Sequence, residues 1–259
     1  MKRFITHLAK KILPQDVRFA LRKLNWKVRY FIEALNTGNK ELVYCPLAEK
    51  SFKTFIPLKS HLVSPENGAR NRQRLVWLYL KNETAIFKNQ IKLLHVAPEL
   101  PYMEKFRKAK NIDYVPGDKM VEGYNNQSGI LNIDLTKLEF SDNTFDYIIC
   151  NHVMEHIPDD KKAISEMFRV LKPGGKAIIT TPIDETLKST NEDPNVKTPA
   201  DREKYFGQWD HVRYYGTDIK GRFEIPGFSV DLLKYGETFS SKDYIKFGLC
   251  KDIILVAQK

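Results

Sequence analysis

Two short runs hold the groups most able to move a proton. One is Asn151-His152-Val153-Met154-Glu155-His156, and the other is Gln208-Trp209-Asp210-His211-Val212-Arg213. An imidazole titrates near neutral pH, so His152, His156 and His211 are candidate general bases. Asp210 stands beside His211 and could hold its ring as an orienting carboxylate. The same residues also read as a polar loop anchor, with Arg213 in a structural ion pair. Three further acids, Glu99, Asp118 and Asp134, follow apolar runs. A carboxylate there can accept hydrogen bonds from ligand hydroxyls or amines, or merely cap a helix or turn.

These groups need a scaffold, and the surrounding sequence describes one. Phe145 to Cys150 is a continuous apolar run bounded by a Ser141-Asp142-Asn143 turn, the pattern of a buried parallel strand. It ends at Asn151-His152. Pro158-Asp159-Asp160 opens a helix. Ala163, Ile164, Met167, Phe168 and Leu171 form its buried stripe. Lys172-Pro173-Gly174-Gly175 closes it, and Lys176 to Thr181 is a second buried strand. Further strands are expected at Ile91–Ala97, Asn111–Val115, Gly129–Ile133, Gly227–Leu233 and Asp252–Ala257, with a helix at Asp218–Phe223. Asp184 to Lys204 reads as a loop or lid. The order gives an α/β fold, whose ligands bind beyond the carboxyl ends of the strands.

The segments FDYIICNHVMEHI, RVLKPGG and the strand ending in TTP, in this order, resemble the class I S-adenosylmethionine-dependent methyltransferases of the type 11-like group. The resemblance implies a Rossmann-like, seven-stranded, mostly parallel sheet with an antiparallel C-terminal hairpin. It implies S-adenosyl-L-methionine as cofactor. His95, Ala97, Pro98 and Glu99 would line the cofactor after the first strand, and Asp118 would take the ribose. Asp134 and Leu135 would take the adenine, and Asn151 and His152 would follow the fourth strand. The usual glycine-rich first turn is replaced by Ala97-Pro98-Glu99. A bacterial branch of the family carries a similar HxAPE segment and a similar FGQxDHVRxYG run, here Phe206 to Gly216. The expected reaction is methyl transfer to an oxygen or nitrogen of a small-molecule or saccharide acceptor, with His211, His152, His156 and Asp210 as the catalytic candidates. The alternative is a scaffold that binds the cofactor without turnover. A nucleic-acid acceptor is disfavoured, because no Asn-Pro-Pro-Tyr type motif is present.

The same branch places a small zinc-ribbon-like module before the catalytic domain. Cys45-Pro46-Leu47-Ala48 and Ser64-Pro65-Glu66-Asn67-Gly68 take its two knuckles, but Ala48, Ser64 and Asn67 replace three thiolates. A structural zinc site needs four good ligands, so no metal is expected. Phe52, Phe55, Ile56 and Leu58 should hold the module instead. Arg70, Arg72 and Arg74 read either as a charged helix start or as substrate contacts.

The formal net charge is +10. Residues 1 to 40 hold ten Lys/Arg and two acids, so the excess belongs to this segment. Pro14 starts a helical pattern with Val17, Ala20, Leu21, Leu24, Val28, Phe31, Ile32 and Leu35 on one face. That face either packs on the protein or lies on an anionic membrane surface. The three cysteines do not suggest a disulfide framework, and neither a spanning segment nor a secretory leader is evident. A cytoplasmic protein follows, with peripheral contact at the inner membrane surface as the alternative. The sequence does not set the oligomeric state. It divides into a basic helical segment (1–40), the ribbon-like module with its helix (41–88) and the methyltransferase-like domain (89–259).

Overall fold

The computed structural model describes residues 15–38, 41–119 and 129–259, without the side chains of 15–20, 22 and 23. The chain forms two compact units. One runs to Glu83 and includes Gly236–Cys250; the other comprises Thr84–Tyr235 and Lys251–Lys259.

In the first unit, helix α1 (Gln15–Asn36) precedes two hairpins. Strand β1 (Val43–Cys45) pairs with β2 (Lys50–Phe52), and β3 (Ile56–Leu58) with β4 (His61–Val63). Glu49 N–H donates to the Cys45 carbonyl at 2.8 Å and closes the first hairpin; beyond β4, Gly68 N–H donates to that of Ser64 at 3.0 Å and closes a further turn. Phe52, Phe55 and Ile56 are buried as expected, and Leu58 is half-buried. Among the described residues no three metal-ligating groups converge in this unit.

Arg74, on helix α2 (Asn71–Glu83), is not a solvated helix start: it is fully buried. Its guanidinium donates to the carbonyls of Leu62 (3.1 Å), Ala69 (2.7 Å), Phe247 (2.6 Å) and Gly248 (2.6 Å), and lies 3.9 Å from the centre of the Phe55 ring. Burial lowers its pKa to about 10, which leaves it charged at neutral pH.

The second unit is built on a seven-stranded sheet. Its strands are β5 (Ile91–Val96), β6 (Ile112–Asp118), β7 (Leu131–Asn132), β8 (Phe145–Asn151), β9 (Leu171–Thr180), β12 (Ser229–Leu233) and β13 (Ile254–Gln258), in the order β12-β13-β9-β8-β5-β6-β7. All neighbours are parallel except at β13, which is antiparallel to both β9 and β12. β5, β8 and β9 lie in the middle, which is why their sequences are apolar on both faces. Helix α3 (Leu100–Phe106) follows β5, and α4 (Asp160–Val170) joins β8 to β9. The Asp159 carboxylate caps α4 by accepting from Lys162 N–H at 3.0 Å. Ala163, Ile164, Met167 and Val170 bury its inner stripe.

Several expected boundaries move, and the expected Gly129–Ile133 strand is only Leu131–Asn132. The run Lys172-Pro173-Gly174-Gly175 lies within β9 rather than closing the helix, and the β8–β9 register shifts between Phe145 and Tyr147. β6 does not stop at Val115 but runs through Pro116-Gly117 to Asp118. The expected lid contains a two-residue strand, β10 (Asn191–Glu192), paired with β11 (Arg213–Tyr214), and helix α5 (Pro199–Phe206). Helix α6 (Ile219–Glu224) follows.

Candidate active site

The strand order reverses between β5 and β8. Their carboxyl ends therefore flank the crevice where open α/β sheets take ligands. Both chains leave the sheet through a left-handed residue that is not glycine: Ala97 (φ 47°) after β5 and His152 (φ 52°) after β8. Such conformations cost free energy and need support from their surroundings. Here the Ala97 N–H donates to the Gly117 carbonyl at 2.8 Å and the His152 N–H to that of Thr180 at 2.7 Å. The Asn151 side chain ties three strand ends together. Its Nδ2 donates to Glu99 Oε2 at 2.8 Å, and its Oδ1 accepts from Thr180 Oγ1 at 2.9 Å.

Glu155 is the buried centre of the polar cluster beyond β8. Its Oε1 lies 3.2 Å from His152 Nδ1, and its Oε2 accepts from Thr181 Oγ1 at 2.8 Å. Burial alone would raise its pKa. The hydrogen bond and charge of His152, with the Thr181 hydroxyl, outweigh this and hold it below the ordinary value. A carboxylate at this distance fixes the proton on His152 Nδ1, leaving Nε2 as the basic nitrogen. Nε2 is buried and has no hydrogen-bond partner among the described residues.

His156 and His211 sit side by side, with ring centres 4.8 Å apart and planes at 82°. His211 Nδ1 is 3.0 Å from the Phe206 carbonyl, so that nitrogen carries the proton. The adjacent Asp210 does not hold the His211 ring. It accepts from Gln208 Nε2 at 2.7 Å, and its carboxylate and carbonyl lie 3.6 and 3.2 Å from His156 Nδ1. Consecutive loop residues project apart, and the expected Asp210–His211 dyad is instead an Asp210–His156 contact. Burial lowers the His211 pKa. Glu155, His156 and His211 each offer a potential metal-ligating atom, all within 4.8 Å of one another. Both Glu155 oxygens are already engaged in hydrogen bonds.

The residues expected around a cofactor fall in different settings. Ala97, Pro98 and Glu99 are half-buried at the crevice, and Asp118 is exposed at the end of β6. His95 does not reach the crevice. It is fully buried, with its Nδ1 2.9 Å from the Tyr114 hydroxyl and the rings of Tyr102 and Phe106 at 5.7 and 5.9 Å. The Asp134 carboxylate is occupied locally. It accepts from Lys119 Nζ (2.7 Å), Thr136 N–H (2.9 Å) and Thr136 Oγ1 (2.6 Å), contacts that hold its pKa well below the carboxylate range. A depression of about 570 Å³ opens beside it, lined by Lys119, Asn132, Lys137 and Phe140 among others. Leu135 is buried in the core.

Arg213 anchors the loop that carries the cluster. It is buried, donates to the carbonyls of Met154, Ile157 and Pro158, and pairs with Glu192 at 2.8 Å. Asp160 joins this network through Arg222 and the Tyr215 hydroxyl, both at 2.9 Å. Thr180, Thr181 and the orienting role of Glu155 are absent from the sequence expectations. The i, i+3 spacing of His152 and Glu155 is the signal that could have found the pair.

Seven strands in this order, with only β13 antiparallel, define the Rossmann-like class I methyltransferase fold. Residues 98–179 match the methyltransferase domain family, whose cofactor is S-adenosylmethionine. Similar curated proteins include the demethylmenaquinone methyltransferase of Staphylococcus epidermidis, 27% identical over 146 residues, with 53% of this chain and 54% of that protein covered. The demethylmenaquinone methyltransferase of Bacillus pumilus is 37% identical over 70 residues (27% and 30% covered). Phosphoethanolamine N-methyltransferase 2 of Caenorhabditis elegans is 45% identical over 47 residues (18% and 11%). The chain thus spans about half or less of these relatives. Among solved structures, the [4+2]-cyclase SpnF is similar at 16% identity and a TM-score of 0.49, with 72% of this chain and 82% of that one covered.

Proposed function

We propose that this protein is an S-adenosylmethionine-dependent methyltransferase acting on an oxygen or nitrogen of a small-molecule or saccharide acceptor, with His152 as the general base. The observation that carries the reading is the placement of the His152–Glu155 pair at the carboxyl end of β8, beside the switch point. The crevice residues fit the cofactor. Glu99 offers a carboxylate for an ammonium group and Asp118 offers one for ribose hydroxyls, while His152 Nε2, without a hydrogen-bond partner among the described residues, is left for the acceptor.

Bound there, the cofactor supplies an activated sulfonium methyl group. The protein must then hold the acceptor in line and take its proton. His152 Nε2 accepts that proton from the hydroxyl or amine. Glu155, fixed by Thr181, stabilises the imidazolium that forms. Arg213 keeps the 154–158 loop in position through its carbonyls. A neutral hydroxyl needs such a base; an amine, once methylated, needs an acceptor for the proton it sheds.

Calorimetric titration with S-adenosylmethionine and its demethylated product tests the first half of the reading. Binding of both is expected. No detectable heat or thermal shift at millimolar ligand would leave the fold as a scaffold. The second half is tested by transfer of labelled methyl to a panel of hydroxyl and amine acceptors.

A further inference from the structure

Helix α1 is mounted with its aliphatic stripe facing outward. At about 100° per residue, Leu21, Leu24, Val28, Phe31, Ile32 and Leu35 share one stripe, while Trp26 and Tyr30 lie on the opposite side. The aromatic side is the one that packs within its unit. The Trp26 ring occupies the space beside Gly68, where a Cβ would come within 2.1 Å of it; Gly68 also has φ +72°. The Tyr30 ring meets Phe52 edge-on at 5.9 Å, and its hydroxyl accepts from Lys53 N–H at 3.3 Å. The six aliphatic and phenyl side chains are left 51–69% exposed. An amphipathic helix in a globular unit ordinarily buries that stripe, and a contiguous apolar patch of this kind marks an interaction surface.

We propose that α1 docks this protein on the surface of an anionic lipid bilayer. Charge selects the occupant. Residues 1 to 40 hold ten Lys/Arg against two acids, and Lys27 and Arg29 are exposed on α1 itself. A second copy of the chain would bring two such basic segments together across a low-dielectric contact, where like charges repel. A nucleic acid would answer the charge but not the apolar stripe. An anionic bilayer answers both: the stripe enters the headgroup–acyl boundary, and the basic residues meet lipid phosphates. Among the described residues no helix is long and apolar enough to cross a membrane, so α1 would lie in the interface plane.

The test is co-sedimentation of the full chain with phosphatidylcholine vesicles, with and without phosphatidylglycerol. Binding is expected to the anionic vesicles and to fall with added salt. Leu24→Glu/Phe31→Glu should weaken it by at least about tenfold. Both positions are exposed, so the thermal melt should be unchanged. Lys27→Glu/Arg29→Glu keeps the stripe and should weaken the preference for phosphatidylglycerol, because it halves the net charge of residues 1 to 40 from +8 to +4. The proposal is overturned if anionic vesicles do not bind, or if the stripe variant binds as well as the parent. It is equally overturned if the parent self-associates in sedimentation equilibrium, the stripe variant does not, and neither binds vesicles.

Discussion

Glu155 Oε1 lies 3.2 Å from His152 Nδ1: His152 is the left-handed residue that follows β8, and Glu155, three residues on, lies in the short 3₁₀ segment Met154–His156. This spacing gives the imidazole a fixed tautomer and a buried counter-charge. His152→Ala should therefore leave cofactor affinity within a few-fold and lower methyl transfer by about 10²–10⁴-fold, the range for loss of a general base. Glu155→Gln keeps the shape and a hydrogen-bonding group but removes the charge, so it should reduce transfer with little loss of cofactor binding. His211→Ala should act mainly on stability, because the partner of its Nδ1, the Phe206 carbonyl, supplies no counter-charge for an imidazolium. If His211→Ala abolishes transfer and His152→Ala does not, the base is His211.

His95 predicts an acid-sensitive fold. Burial lowers its pKa to about 3, whereas the unfolded chain takes up the proton near pH 6.5. Between these values the unfolded state binds the extra proton, so stability falls as pH drops below about 6.5 and levels off near the folded pKa. The slope is at most about 1.4 kcal/mol per pH unit. Most carboxyl groups titrate lower, and His211 shifts in the same direction as His95. The difference between wild type and His95→Gln in urea unfolding at pH 5 to 7 therefore isolates His95. The variant should show a shallower slope, and parallel slopes would place the proton uptake elsewhere.

The β8–α4–β9 unit is legible in the sequence because its apolar runs and cap sit at fixed periods that local physics enforces. The end of β6 is not. Pro116-Gly117 looks like a strand stop, yet Gly117 pairs with Leu131 and Asp118 with Asn132. Gly117 is needed there because a Cβ would lie 2.4 Å from Ile133. The histidines were visible as a set, but their partners were not: Asp210 is adjacent to His211 in sequence and serves His156 in space. Nor could the fate of α1 be read. Its stripe looks like any core-facing stripe, and only the packing of Trp26 and Tyr30 shows that the other side is the one used.

The Glu155–His156–His211 group allows a clear metal test. Its ligating atoms lie within 4.8 Å of one another, and three ligands with an open position would suit a catalytic zinc. The hydrogen bonds to both Glu155 oxygens favour a proton-handling network instead. Dialysis against a chelator should leave the thermal midpoint and methyl transfer unchanged. One zinc per chain in elemental analysis, lost in His211→Ala, would make this group a metal site.

Arg74 does the work of a cross-brace in the first unit. One guanidinium joins residues 62 and 69 to residues 247 and 248, which are distant in the chain, through four carbonyls at 2.6–3.1 Å. Hydrogen bonds from a charged donor contribute about 1.5–3 kcal/mol each, and buried carbonyls left without a partner cost about 1–3 kcal/mol. Arg74→Met keeps much of the volume and the contact with Phe55 but removes every donor. It should destabilise the protein by at least about 3 kcal/mol. Arg74→Lys restores the charge without the planar fork, so it should recover only part of that loss. Denaturant unfolding followed by circular dichroism would measure both. A loss below about 1 kcal/mol for Arg74→Met would show that the hairpins hold without the brace.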